Sequence, residues 1–279
     1  MSTAAGIVLA GGRSSRMGTP KAGLEWHGST LLRRVSGIVA RGVEGPVVVV
    51  RAPGQPLPAL PAAFDVVEDA REGRGPLQGL AAGLAAVDGR ADVAYVAATD
   101  AALLHPAFVR RVVRSVDDDV DAVLPRAGSF PHPLAAAYRT TLLDRIEGLL
   151  AADRLRLAFL FEACRVRHLD EPALLADPAL AAADPALDSL LNLNEPGDYE
   201  AARARPAPQI TVQCEAHDVL TVRAATLAAA AEAAGVTVQE TASAALNGDP
   251  IDPDPELPLA AGDAVAFGAA WHRSRSGPR

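Results

Sequence analysis

Aromatic side chains make up only 4% of this 279-residue chain, which carries two cysteines. Cys164 and Cys214 lie far apart and show no metal-ligand spacing. That excludes a disulfide scaffold and a thiolate metal site, and fits two free thiols in a reducing compartment. No apolar run approaches the ~20 residues of a membrane span. The apolar run near the start has no basic region ahead of it, so it reads as a strand rather than a leader, and a cytoplasmic location is expected. Positive charge is also scarce: 26 Lys and Arg against 34 Asp and Glu leave a net charge of −8. Such a surface argues against nucleic acid or an anionic membrane as a partner. Two familiar phosphate-binding patterns are missing as well. No Gly-Lys-Ser/Thr follows the first glycines, and no Gly-x-Gly-x-x-Gly occurs there.

What is present is a composition 49% hydrophobic, dominated by Ala, Val and Leu, in a chain long enough for one large domain or two. Residues 5–21 stand out. Ile7, Val8 and Leu9 run into Ala10, Gly11 and Gly12, and Arg13, Arg16 and Lys21 follow within nine residues of Gly12. A buried strand that opens into a glycine-rich, triply cationic loop suits a polyphosphate. Without a Cβ, glycine lets backbone N–H groups approach phosphate oxygens, and the cations neutralise them. In an acidic protein this local basicity marks a site.

From residue 1 to about 150, short apolar runs alternate with helical patterns. Strands are expected at 5–10, 46–51, 64–67, 92–98 and 120–125, and less clearly near 134–138 and 166–169. Leu31, Leu32, Val35, Ile38 and Val39 recur at helical spacing, and 77–87 and 106–116 read as helices with Pro76 and Pro106 at their starts. Runs apolar on both faces and joined by helices imply an α/β fold, a mostly parallel sheet covered on both sides. The alanine-rich stretch 171–191 offers little periodicity. At Arg203–Pro208 a proline-bearing polar stretch suggests a boundary, giving one domain at 1–204 and a second at 205–270. The second reads β-β-α-β-β: a hairpin from 209–214 and 219–223, a helix near 226–234 and two short strands, with a Gly-Asp turn at 262–263. That order suggests a β-grasp domain. The polar tail 271–279 is expected to be disordered.

Four segments beyond the loop carry chemistry, each with a plainer alternative. Asp100 ends the run Val-Ala-Ala-Thr-Asp at the carboxyl end of an expected buried strand, where open parallel sheets bind ligands. Its carboxylate suits Mg²⁺, which takes one or two carboxylates plus phosphate oxygens; equally, Asp100 could cap the helix entered at Pro106. Gly75-Pro-Leu-Gln-Gly79 opens a helix whose free N–H groups suit an anion or a base edge; a Gly-Pro pair is also a common plain helix start. His132, in Phe130-Pro-His-Pro-Leu134, reads more readily as a structural histidine than a functional one. Asn192 and Asn194 face one way if their segment is a strand, and offer neutral oxygens to a metal or phosphate; an Asn before Glu-Pro also suits a helix entry. The runs Arg110-Arg111 and Asp117–Asp119 read as solvated faces.

In order and spacing these segments resemble the molybdenum cofactor guanylyltransferases. The resemblance covers residues 5–200 through Leu-Ala-Gly-Gly-x-Ser-x-Arg-Met-Gly-x-x-Lys, Glu68-Asp69 before Gly-Pro-Leu-x-Gly, the strand-end Asp100, His-Pro, and Asn-x-Asn. It implies a Rossmann-like domain of the nucleotide-diphospho-sugar transferase type. The implied reaction is transfer of GMP from GTP to the molybdenum-molybdopterin cofactor, with release of pyrophosphate. Leu9, Ala10, Gly11 and Gly12 would then wrap the triphosphate, Arg16 and Lys21 would neutralise it, Asp69 would contact the guanosine, and Asp100, with Asn194, would hold Mg²⁺. Gly11 in place of the alanine of cytidylyl relatives favours guanine. Two departures stand out. Ala101-Ala102 replaces the usual proline after the aspartate, and Arg51 stands where a polar Asn is expected. Residues 245–250 and 259–267 resemble the sulfur-carrier β-grasp proteins, whose terminal Gly-Gly has no counterpart in Ser-Gly-Pro-Arg. A docking role with proteins of cofactor biosynthesis or insertion is the corresponding expectation. Cytidylyl or sugar-phosphate transfer, and a non-catalytic nucleotide-binding scaffold, are the alternatives.

Overall fold

The computed structural model of the chain describes residues 3–11, 20–69, 71, 73–214, 217–236 and 243–268. Gly12, Arg13, Arg16 and the tail 271–279 therefore lie outside the described residues. In chain order the elements are β1 (Ala4–Leu9), a short 3-10 turn (Lys21–Gly23), β2 (Glu25–Trp26), β3 (Ser29–Thr30), α1 (Leu31–Gly42), β4 (Val47–Arg51) and β5 (Phe64–Glu68). Then follow α2 (Pro76–Val87), β6 (Val93–Ala98), α3 (Pro106–Val113), β7 (Ala122–Ala127), β8 (Phe130–Pro131), β9 (Ala135–Arg139), α4 (Leu143–Ala151) and α5 (Leu157–Phe161). β10 (Val166–Leu169), α6 (Glu171–Leu175), α7 (Pro178–Ala183) and α8 (Pro196–Arg203) lead to β11 (Gln209–Cys214) and β12 (His217–Arg223). The last elements are α9 (Leu227–Ala233), β13 (Ala244–Leu246), β14 (Asp249–Ile251) and β15 (Ala264–Phe267).

Contacts divide the chain into two units, one of Met1–Leu24 with Leu31–Tyr199 and another of Glu25–Thr30 with Glu200–Arg279. The first is built on a sheet ordered β10-β7-β9-β6-β1-β4-β5, with β8 on β7. β9 runs antiparallel to β6 and β7, whereas β10–β7, β6–β1, β1–β4 and β4–β5 are parallel pairs. β1 is buried along its whole length because both faces are covered. Ala5, Ile7 and Leu9 join Leu77, Leu80 and Leu84 of α2 in one core cluster. A Cβ on Gly6 would meet Val39 of α1 on the opposite face, at 2.3 Å. The chain leaves β1 toward β4 and β5, then returns to β6 on the other side. The carboxyl ends of β1 and β6 thus flank the topological switch point, the crevice where such sheets bind ligands.

Some details differ from the sequence expectations. The stretch 171–191 holds two short helices, each entered through an aspartate: Asp170 accepts from Ala173 N at 2.9 Å and Asp177 from Ala179 N at 2.9 Å. Arg110 and Arg111 are not simply solvated, since they donate to Arg41 O (2.9 Å) and Ala173 O (2.7 Å). Asp117 and Asp118 pair with Arg167 (2.6 Å) and Arg139 (3.2 Å).

The second unit has a sheet ordered β12-β11-β15-β13-β14, with β15 parallel to β11 and the other neighbouring pairs antiparallel. Leu227, Ala230 and Ala231 of α9 pack with Ile210, Val212 and Phe267. Three strands follow the helix rather than two, because Asn247 and Gly248, at φ 54° and 89°, turn the chain sharply between β13 and β14. β14 is an edge strand and so tolerates Pro250. The expected boundary lay at 204/205; the contact division falls inside α8, and the unit also takes in the hairpin β2–β3. There Glu25 accepts from Arg203 Nε at 2.5 Å, and Ser29 Oγ donates to Glu256 at 2.9 Å.

Candidate active site

At the end of β1 the backbone stays against β4: Ala10 N and Gly11 N both donate to Val50 O, at 2.8 and 3.2 Å. A Cβ on Gly11 would lie 3.2 Å from Ala52 N, so glycine lets the loop begin this close to its neighbour. Gln55 fastens the pair, its amide donating to Ala10 O and accepting from Ala52 N, each at 3.0 Å. The sequence reading missed Gln55. A glutamine in a Pro-Gly-Gln-Pro loop gives no local signal, and its role exists only once β1 and β4 are neighbours.

One strand away, Thr99 donates its hydroxyl to Leu9 O at 3.0 Å, tying the end of β6 to that of β1. Asp100 follows. Its Oδ2 is 2.8 Å from Lys21 Nζ, with the two side chains only 15% and 18% exposed. Its Oδ1 is buried with no hydrogen-bond partner among the described residues. The plainer reading of Asp100 as a cap falls away, because α3 is capped by His105, whose Nδ1 accepts from Ala107 N at 3.1 Å. Ala101-Ala102, in place of a proline, is fully buried, and the buried Arg34 holds Ala102 O at 2.9 Å. The loop is thus fixed by packing and an arginine.

On the other side of β1, Asp69 N donates to Arg51 O at 2.8 Å, and the Asp69 carboxylate accepts from Arg71 N at 3.1 Å. Burial holds this carboxyl above the usual carboxylate range. Arg51 pairs with Glu68 at 2.9 Å. Gly75 leads into α2 at φ 77° and ψ −176°, a conformation open in practice only to glycine. Arg74 turns back to bond Leu150 O and Asp153, both at 2.8 Å, anchoring this loop to the end of α4.

These pieces line one cavity of about 490 Å³, with Leu9, Ala10, Gly11, Lys21, Asp69 and Asp100 in its wall beside Arg51, Gly73, Gly75, Gly79 and Leu134. Asn194 is not in that wall. Its segment is not a strand, although Asn192 and Asn194 are exposed and Leu193 is buried. The segment is held instead through its backbone, Leu193 N donating to Asp100 O at 3.1 Å and Asn194 N to Asp198 at 3.1 Å. His132 is half-buried, and burial pushes its imidazole pKa down. Its backbone bonds Pro125 O at 2.9 Å, which helps place Leu134 at the cavity. Among the described residues no cluster of three or more His, Cys, Asp or Glu could hold a metal ion. A metal at Asp100 would need most of its ligands from elsewhere, and a polyphosphate with water fits that need.

A switch-point cavity with a lysine–carboxylate pair at its floor and a glycine-entered helix at its rim defines an α/β protein of the nucleotide-handling class. Residues 6–167 match the model of the MobA-like NTP transferase domain. A protein of Mycobacterium tuberculosis named "Probable molybdenum cofactor guanylyltransferase" is 41% identical over 163 residues, 57% of this chain and 79% of that one. Its namesake in Mycobacterium marinum is 40% identical over 188 residues, 65% of this chain and 92% of that one. Among solved structures, molybdopterin-guanine dinucleotide biosynthesis protein A of Archaeoglobus fulgidus is similar in fold. Its TM-score is 0.56 at 21% identity, covering 71% of this chain and 96% of that one. The chain belongs to the MobA-like NTP transferase family and is a nucleotidyltransferase.

Proposed function

We propose that the chain transfers GMP from GTP to the molybdenum-molybdopterin cofactor, forming the guanine dinucleotide and releasing pyrophosphate. The observation that carries this reading is the Lys21–Asp100 pair, one strand from Gly11 and in the same cavity as Asp69. The names of the mycobacterial relatives support the choice of guanine and of the pterin acceptor.

The acceptor's terminal phosphate is already anionic near neutral pH, so it needs no general base, and the described cavity wall contains no histidine. What remains for the protein is to orient the reactants and offset developing charge. Lys21 pairs with Asp100 and is placed to turn to a triphosphate. Arg16 is assigned to the same triphosphate. Asp69 and the N–H groups opening α2 are assigned to guanine. The unpartnered Oδ1 of Asp100 fits a divalent ion, which we take to be Mg²⁺. When bound, that ion offsets negative charge on the phosphates. Asn194 remains a candidate ligand only if its segment turns toward the cavity.

For the second unit, the strand order β12-β11-β15-β13-β14 with one helix supports a β-grasp reading. A role in docking the cofactor or its carrier proteins goes with it. No described helix is long and apolar enough to cross a membrane; a cytoplasmic setting is part of the same proposal. The test is pyrophosphate release by the full chain with molybdenum-molybdopterin, comparing GTP with CTP. Release with GTP, lowered about 10²- to 10³-fold by Lys21→Ala, is the expected result. Release with CTP alone would move the base assignment. No release with either would leave the nucleotide-binding scaffold.

A further inference from the structure

Asp100 stands on a connection that is neither helix nor strand: residues 99–105 join β6 to α3. Within it, Ala101 N donates to Ala98 O at 3.2 Å and Leu104 N to Ala101 O at 3.0 Å. Bonds from outside tie it down further. Arg34 of α1 donates to Ala102 O at 2.9 Å, Leu193 N to Asp100 O at 3.1 Å, and His105 N to Ser189 Oγ at 3.0 Å. Leu193 and Ser189 belong to one segment, 184–193, which follows α7 and lies past the family-matched residues 6–167.

That segment is built around a buried acid. Asp184 is 7% exposed, and its two carboxylate oxygens accept from Asp188 N at 2.8 Å and Ser189 N at 3.1 Å. Its backbone oxygen accepts from Leu187 N at 3.1 Å. Leu187 sits at φ 52° and ψ 39°, in the left-handed region that a leucine rarely occupies. Such strain persists only where the surroundings over-determine it. Here the Asp184 carboxylate closes the turn, and Leu187, Leu190 and Leu193 are all buried beneath it. The closed turn presents Ser189, 1% exposed, to the residue that ends the Asp100 connection. Leu193, four residues on, holds Asp100 itself. A plain turn cap accounts for the bonds of Asp184 to Asp188 and Ser189. It does not account for a serine hydroxyl spent on His105.

We infer that 184–193 is a brace for the metal-holding carboxylate, with Asp184 and Ser189 as positioning residues. They act through His105 and the backbone of Asp100, and keep that carboxylate in the cavity wall ready for an ion. The inference rests on Asp100 as the metal-holding residue of the proposed guanylyl transfer.

The test is calorimetric titration of the full chain with GTP, with and without Mg²⁺, for wild type, Ser189→Ala, Asp184→Asn and Asp177→Asn. Ser189→Ala removes the acceptor for His105 N, and Asp184→Asn leaves one oxygen where two accepted. Asp177 is the matched control. Its side chain also accepts from two backbone N–H groups, of Ala179 and Leu180, with no bond to residues 99–105 among those described. Melting temperatures are measured alongside. The brace predicts unchanged GTP affinity without Mg²⁺. The gain on adding Mg²⁺ shrinks about tenfold in Ser189→Ala and Asp184→Asn. Asp177→Asn melts lower yet keeps the full gain. Ser189→Ala decides the matter if Asp184→Asn does not fold. An undiminished gain in Ser189→Ala overturns the brace and leaves the metal at Asp100 standing. An equal loss in Asp177→Asn, or a matching loss of affinity without Mg²⁺, overturns the brace as well. A wild type that gains nothing from Mg²⁺ removes brace and metal together. A Ser189-dependent gain in a chain that transfers nothing to molybdopterin keeps the brace and removes guanylyl transfer.

Discussion

At the scale of single residues, the sequence picked out three ionic residues that the structure brings into one cavity wall, and missed the clamps around them. Lys21, Asp69 and Asp100 were legible because a charged residue beside a glycine turn or at the end of an apolar run has few structural reasons to be there. Gln55, Arg74 and Arg34 were not, because each acts on a backbone carbonyl that only the fold brings near it. Asn194 was legible as a polar residue, but its exposed position outside the cavity wall was not. The environment of Asp69 has a consequence in pH. Its carboxyl titrates above the usual carboxylate value because it is part-buried. On the proposed reading, in which its carboxylate accepts from guanine, it should support full GTP affinity near neutrality. Affinity should fall as pH drops through that raised pKa, beginning above the ~4 of an exposed aspartate. KM for GTP measured from neutrality down to the onset of acid unfolding should show this limb in wild type and lose it in Asp69→Asn. Identical profiles would remove Asp69 from base recognition.

At the scale of elements, β1, β4, β6 and β7 were readable because each is a short apolar run bounded by turns, and burial on both faces leaves no alternation to confuse; the two-residue, exposed β8 went unread. The alanine-rich stretch containing α6 and α7 defeated periodicity, since alanine marks neither face of a helix. Its Asp-Glu-Pro and Asp-Pro entries were the signal available. The hairpin β2–β3 went unread because two-residue strands carry no pattern. The loop into α2 is the element assigned to the base in the nucleotide reading. Gly75→Ala forces a side chain into a backbone region reserved for glycine, at a cost of about 1–3 kcal/mol. The chain should melt at a lower temperature in calorimetry and bind GTP more weakly than the stability loss alone explains. A variant with wild-type melting and wild-type affinity would show that the glycine is not required there.

At the scale of the whole molecule, the sequence carried the α/β class, the mainly parallel sheet and the presence of a second sheet. It did not carry the discontinuity of the second unit, to which Glu25–Thr30 contributes through Glu25–Arg203 and Ser29–Glu256. Such pairings join residues far apart in the chain, and no local pattern announces them. The family match covers residues 6–167, so what the fold and the relatives say about chemistry applies to the first unit. On the proposed reading, that chemistry reduces to a triphosphate held between the end of β1 and the end of β6, with Asp100 as the residue that would receive a metal. Calorimetric titration of the full chain with GTP, with and without Mg²⁺, tests this most directly. Binding that strengthens with Mg²⁺ in wild type and loses that dependence in Asp100→Ala is the expected result. GTP affinity indifferent to Mg²⁺, or Mg²⁺ dependence undiminished in Asp100→Ala, would contradict it.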